Sequence, residues 1–273
     1  RLDQVAHGGG AQLGLRHGGV LCGAQAGALP LRPAHSRRAG GQGVEQGIDL
    51  EACAGQRGLR AGQGRIGRID VGIFGSAILN VIPRVLSRFR ADYPEVELFL
   101  HTMTKAEQIE ALRERRITVG FNRLVPEEPD IAVRTVLRER FMVALPATHR
   151  LCAQTELSLR DMTGEPLILY PNLALAGLAQ QVLAAFQREG AIPRVTQRVE
   201  DVLTAIALVS SGFGLCVTTA SAASLQLPGV EYRPLNSRTL REIELSCLYR
   251  RDDRSPILSA FLDVIEHLGE PRA

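Results

Sequence analysis

Residues 68–100 read RIDVGIFGSAILNVIPRVLSRFRADYPEVELFL, and this stretch decides the fold. Ile69, Val71 and Ile73 alternate with Asp70, Gly72 and Phe74, which is the period of a strand. Gly75-Ser76 interrupts the run. Ile78, Ile82, Val85, Leu86 and Phe89 then fall on one helical stripe. Val96, Leu98 and Leu100 alternate again, so a strand, a helix and a second strand follow in quick succession.

Working outward, Thr104 stands where a helix N-cap would, and Glu107 three residues later completes a capping-box pattern. The spacing predicts a helix to about Arg113 and a third strand over Ile117–Phe121. This β-α-β-α-β order argues for a mostly parallel sheet covered by helices. The pattern then repeats. Phe141, Val143 and Leu145 make a strand, and Pro166–Leu169 another. Leu178, Val182, Leu183 and Phe186 give a helix that stops at Gly190 with Pro193 beyond. Val195–Val199 is a strand, and Val202, Ile206 and Val209 lie on a helix ended by Gly212. Strands are predicted over Leu215–Val217, Val230–Arg233 and Ile243–Tyr249, and a last helix carries Leu258, Phe261, Leu262, Ile265 and Leu268. The reading is two α/β units in tandem, with a chain that returns to the first.

The chain changes character at about residue 65. Residues 1–64 hold 16 of the 27 glycines and contain no Phe, Tyr, Trp, Met or Lys. Three accounts are open for this segment: a disordered low-complexity tail, an Arg/Gly arm for nucleic acid, or the product of a GC-rich gene read in the wrong frame. We favour the last, which translation of the other two frames upstream of Arg65 tests. The absence of an initial Met and of an apolar stretch after Arg1 predicts a fragment or partial translation without a secretory leader.

A net charge of +3 advertises no polyanionic partner. Five scattered cysteines without a C-x-x-C pair argue against zinc and disulfides and fit a reducing cytoplasm. Cys216 and Cys247 fall in apolar strand-like runs and read as core residues. No apolar stretch reaches the roughly 20 residues of a membrane span.

Open parallel sheets bind ligands beyond the carboxyl ends of their strands. In the first unit those ends are Gly75-Ser76, Thr102–Thr104 and Asn122-Arg123. Two hydroxyls at helix starts and a guanidinium suit a carboxylate. Taken singly, Ser76 and Thr104 are accounted for as helix caps; three convergent ends make a ligand pocket a competing account. Dinucleotide, Walker, nucleophile-elbow and H-E-x-x-H motifs are absent. His101, His149 and His267 are scattered, and Glu200-Asp201 fits a helix start. No enzyme and no cofactor are expected.

With those residues in view, residues 66–268 resemble the effector-binding half of LysR-type transcriptional regulators, the branch controlling catechol, benzoate and chlorocatechol degradation. The resemblance is carried by Val71-Gly-Ile-Phe-Gly-Ser76, Pro94-Glu-Val-Glu-Leu98, Met103-Thr-Lys-Ala-Glu-Gln-Ile-Glu-Ala-Leu112, Val119-Gly-Phe-Asn-Arg123, Val199-Glu-Asp-Val202 and Ser211-Gly-Phe-Gly-Leu215. It implies two Rossmann-like subdomains joined by two crossover strands, a periplasmic-binding-protein-like plan, after an irregular N-terminal segment. The implied effector-binding domain is 66–270, with subdomain I at 66–147 and 249–270 and subdomain II at 148–248. A small carboxylate inducer, aromatic or muconate-like, would lie between them, held by Ser76, Thr104 and Arg123 with Leu178 and Val202 opposite. Leu178 stands where the benzoate-responsive pattern has an aromatic ring, which favours a non-aromatic diacid. The resemblance also implies a homo-oligomer (dimer or tetramer), with operator DNA as a partner only where an intact helix-turn-helix is present. Residues 1–64 lack that pattern. The rival readings are a periplasmic-type solute-binding protein for a small carboxylate, an enzyme on a similar fold, and a nucleic-acid-binding protein using the Arg/Gly front.

Overall fold

The computed structural model describes residues 65–171 and 177–268. The expectations for residues 1–64, and for the last two residues of the span 66–270, lie outside them. The opening stretch forms β1 (Gly67–Ile73), α1 (Val81–Asp92) and β2 (Val96–Thr102). Then come α2 (Lys105–Arg113) and β3 (Val119–Arg123). β1 pairs in parallel with both β2 and β3, which is the predicted crossover unit. Its core gathers Ile69, Val71, Val85, Phe89 and Phe121 around Phe261 of α5 (Pro256–Glu266). Phe89 and Phe261 meet edge to face at 5.0 Å.

The second half contributes β6 (Pro166–Leu169), α3 (Leu178–Arg188), β7 (Arg194–Arg198), α4 (Val202–Ser210) and β8 (Leu215–Thr219). β6 pairs in parallel with β7 and β8. Phe141, Val143, Leu167, Phe186, Ile206 and Val217 belong to a second core. Two long strands join the halves: β4 (Ile131–Pro146) and β10 (Glu242–Arg250), antiparallel to each other. β10 also pairs with β3, while the far end of β4 pairs with β8 and with β9 (Val230–Asn236). The strand order is therefore β2-β1-β3-β10-β4-β8-β6-β7, and β9 also holds the short β5 (Leu157–Ser158). β10 feeds both cores, Ile243 one and Leu245 and Cys247 the other. Cys216 and Cys247 are fully buried, and burial pushes the Cys247 thiol up to about 12.

Four details depart from the expectation. Ser76–Leu79 is a separate 3-10 turn, and α1 begins only at Val81, after Asn80 leaves helical geometry. Pro83 then sits in the first turn of α1, where its missing N–H has no intrahelical partner to lose. The third strand runs two residues later than Ile117–Phe121, which brings Asn122 and Arg123 onto its end. Leu100 is 46% exposed although its alternation with Val96 predicts burial, because β2 is an edge strand with a neighbour on one side only. Finally, β4 starts ten residues before Phe141. Its first half alternates Arg134 and Arg138 with partly exposed apolar residues, and so carries no clear apolar period.

Candidate functional site

A cavity of about 580 Å³ opens between the strand ends of the two halves, within the size range of small-molecule sites. Ser76, Thr104, Arg123, Leu178 and Val202 all line it. On one side the wall is made by the turns after β1, β2 and β3, and on the other by the first turns of α3 and α4.

Ser76 follows Gly75, whose φ of 77° is the left-handed region that glycine enters without strain. Ser76 is buried, and its Oγ shares a 2.9 Å hydrogen bond with Thr219 Oγ1 at the end of β8. Thr104 is the N-cap of α2: its Oγ1 accepts from the Glu107 N–H at 3.4 Å, and its own N–H donates to Glu107 Oε2 at 2.7 Å. A hydroxyl that accepts in a cap keeps its proton to donate elsewhere. Those cap bonds also hold the Glu107 carboxyl below the ordinary carboxylate range.

Arg123 ends β3 and is already paired. Its Nη2 donates to Glu139 Oε1 at 2.5 Å, while its buried Nη1 has no partner among the described residues. Glu139 lies on β4 and also accepts from the Ser221 N–H at 2.8 Å and the Ser221 hydroxyl at 2.7 Å. Burial alone would raise the Glu139 carboxyl; the Arg123 charge and these donors outweigh it and keep the group below its usual value. One chain of contacts thus runs from β3, through a crossover strand, to the turn after β8.

Sequence reasoning missed Lys105, the only lysine in the chain. It is buried at the first position of α2 and lines the cavity. Its Nζ donates to the Leu124 carbonyl at 2.6 Å, and burial holds its ammonium below the ordinary lysine value. Leu124 adopts φ 53°, a left-handed conformation that costs a non-glycine residue about 1–3 kcal/mol and persists where its surroundings over-determine it. The singular lysine in an arginine-rich chain was the available signal. Glu139 left none, because the part of β4 before Phe141 was not recognised. Tyr170, also missed, is buried and lines the cavity, with its hydroxyl bonded to Thr218, and burial drives its phenol far above the ordinary value.

The facing wall is mainly apolar. Leu178 and Val202 open α3 and α4 and are buried; Leu203 lines the same wall. Asp201 caps α4, accepting from the Thr204 N–H at 2.9 Å, as expected of an acid at a helix start, but it and Glu200 also border the cavity. The space therefore offers cations and hydroxyl donors at one side and apolar surface across from them. It suits a small molecule with an anionic end and an apolar body.

Among the described residues, no helix is long and apolar enough to cross a membrane. The chain matches the LysR substrate binding domain over residues 62–269. It is 35% identical over 217 residues to the HTH-type transcriptional regulator TfdS of Cupriavidus pinatubonensis, covering 80% of this chain and 73% of TfdS. Among solved structures it is similar to full-length CbnR complexed with its target DNA, with a TM-score of 0.76, 27% identity, and 82% and 78% of the two chains covered. It is also similar to the BenM effector binding domain with its effector benzoate, with a TM-score of 0.68, 29% identity, and 75% and 96% covered. The paired α/β halves and the two crossover strands are a fold shared with those structures, and the chain belongs to the LysR substrate-binding family of transcriptional regulators.

Proposed function

We propose that this chain is the inducer-sensing part of a cytoplasmic LysR-type regulator, and that its cavity takes a small organic acid to control an aromatic-degradation operon. We assign subdomain I to 66–147 and 249–270 and subdomain II to 148–248. The observation that carries the reading is the convergence of Ser76, Thr104, Lys105 and Arg123 on one side of a cavity whose other side is mainly apolar, with Glu200 and Asp201 at its border. Ser76 and Thr104 donate to the carboxylate, Lys105 and Arg123 supply positive charge, and Leu178 and Val202 pack on the carbon skeleton. Because Arg123 is already matched by Glu139, an incoming acid shares a compensated guanidinium rather than neutralising a bare one. Leu178 in place of an aromatic ring favours muconate-like acids over benzoate.

The acid touches both halves at once, so it stabilises the relative orientation in which both walls reach it, by its differential affinity for the two orientations. In the whole regulator, a homo-oligomer, dimer or tetramer, carries that shift to operator DNA. BenM with benzoate and CbnR with DNA support this division of labour.

Thermal-shift screening with muconate, chloromuconate and benzoate, followed by calorimetry, tests the reading. A muconate-type acid is expected to raise the melting temperature, and Arg123→Ala to abolish its binding. Unchanged affinity in that variant, with folding intact by circular dichroism, would remove Arg123 from the site.

A further inference from the structure

Gln108 is wholly buried in the second turn of α2, yet no apolar requirement explains an amide there. Its side chain lies across Gly72 and Gly120, which face each other in the register of β1 and β3. A Cβ on Gly120 would stand 2.6 Å from Gln108 Oε1, and one on Gly72 would stand 2.8 Å from Ile117 Cδ1 and 3.0 Å from Gln108 Cγ. Neither glycine has a positive φ, so what they supply is space: a flat slot over two adjacent strands in which the amide sits. Leucine or methionine would fill the same slot without burying polar atoms.

What the amide does can be read from its acceptors. Nε2 donates to the Met103 carbonyl at 3.0 Å and to the Phe121 carbonyl at 3.3 Å. Met103 immediately precedes Thr104, and Phe121 immediately precedes Asn122-Arg123. One NH2 group therefore spans the two strand ends whose next residues line the cavity. Among the described residues Gln108 Oε1 has no partner, so the side chain is kept despite an unsatisfied buried acceptor, which carries a desolvation penalty.

We infer that Gln108 is a positioning residue: by bracketing the carbonyls of Met103 and Phe121 it fixes the distance between the Thr104 hydroxyl and the Arg123 guanidinium, and so selects a carboxylate head group that both can reach. The inference rests on the acid-binding reading above. A donor pair displaced by about 1 Å loses most of a geometrically demanding hydrogen bond, whereas packing on the ligand's carbon skeleton scarcely changes.

The test uses the full chain with Gln108→Met, and Gly120→Ala as a second route that evicts the amide from its slot without removing it. Calorimetry compares muconate with its neutral diamide. Both variants are expected to bind the acid at least tenfold more weakly, with diamide affinity unchanged, so that acid-over-amide discrimination collapses; a merely structural role would weaken both ligands alike. Hydrogen exchange on the ligand-free proteins supplies a readout that does not depend on the ligand. The amides of Thr104 and Arg123 are expected to exchange faster in the variants while those of Val71 and Leu245 stay as slow as in wild type. A folded variant with undiminished acid discrimination, or with unaltered exchange at both turns, overturns the role of Gln108. Failure of wild type to bind any acid refutes the ligand reading alone, and the exchange result then decides for Gln108.

Discussion

The two walls of the cavity are built on different principles. The wall from the first half is polar, and each functional group on it is tied by a second bond: Thr104 to Glu107, Lys105 to the Leu124 carbonyl, Arg123 to Glu139. The wall from the second half offers Leu178, Val202 and Leu203, held by helix starts and core packing. Hydrogen bonds are directional and read a head group, while apolar contact is tolerant and reads shape and volume. The division suggests that one wall decides what kind of molecule enters and the other how large it is.

The largest effect is expected where the polar wall is anchored. Glu139→Gln keeps the size of the side chain but removes the charge opposite a guanidinium that is only 13% exposed. Breaking such a pair by removing one partner leaves an uncompensated charge and costs about 3 kcal/mol or more. Denaturant unfolding should show that loss at neutral pH. The Glu139 carboxyl titrates below its ordinary value in the folded chain, so its stabilisation is present above that ordinary value and is lost as pH falls through the folded one. The gap between wild type and variant should therefore narrow on acidification. A constant gap down to acid pH would mean that the pair does not anchor this wall.

The same contrast explains what could be read from the chain alone. Apolar periods revealed β1, α1, α3, α4 and α5 because each buries one regular stripe. The capping box announced Thr104 as a helix start, and strand ends pointed to Ser76 and Arg123. Leu178 and Val202 came from resemblance, since an apolar residue at a helix start carries no chemical signature of its own. What stayed hidden was long-range pairing. Glu139 meets Arg123 across 16 residues and Ser221 across 82, through a strand whose first half is partly exposed on both faces. Gln108 looked like one more polar helix residue, and only the register that sets Gly72 beside Gly120 exposes its slot.

A smaller pair of effects separates the walls directly. Lys105→Met removes one charge-assisted contact to an acid, worth about 1.5–3 kcal/mol, and should weaken muconate by at least about tenfold while sparing the neutral diamide. Leu178→Ala removes apolar contact worth roughly 1 kcal/mol and should weaken acid and diamide equally, about fivefold. Calorimetry on the four combinations decides the matter. Equal losses for both ligands in Lys105→Met would erase the distinction between the walls.

The smallest effect is a proton. Burial lowers the Lys105 pKa from its ordinary 10.5, so between the folded value and 10.5 the unfolded chain binds more protons, and stability contributed at this site rises with pH in that window. A carboxylate placed beside the ammonium acts in the opposite sense, raising the proton affinity of Lys105 in the complex. Acid binding should then take up a fraction of a proton as pH approaches the lysine's range, and affinity should fall as pH is raised through it. Calorimetry in two buffers of different ionisation enthalpy, at about pH 8 and about pH 10, measures the uptake directly. The uptake should vanish in Lys105→Met and persist in Leu178→Ala, because the ammonium is the group assigned to the acid's head and Leu178 carries no titrating group. Uptake that survives the loss of Lys105 would move the head group's cation elsewhere on the wall.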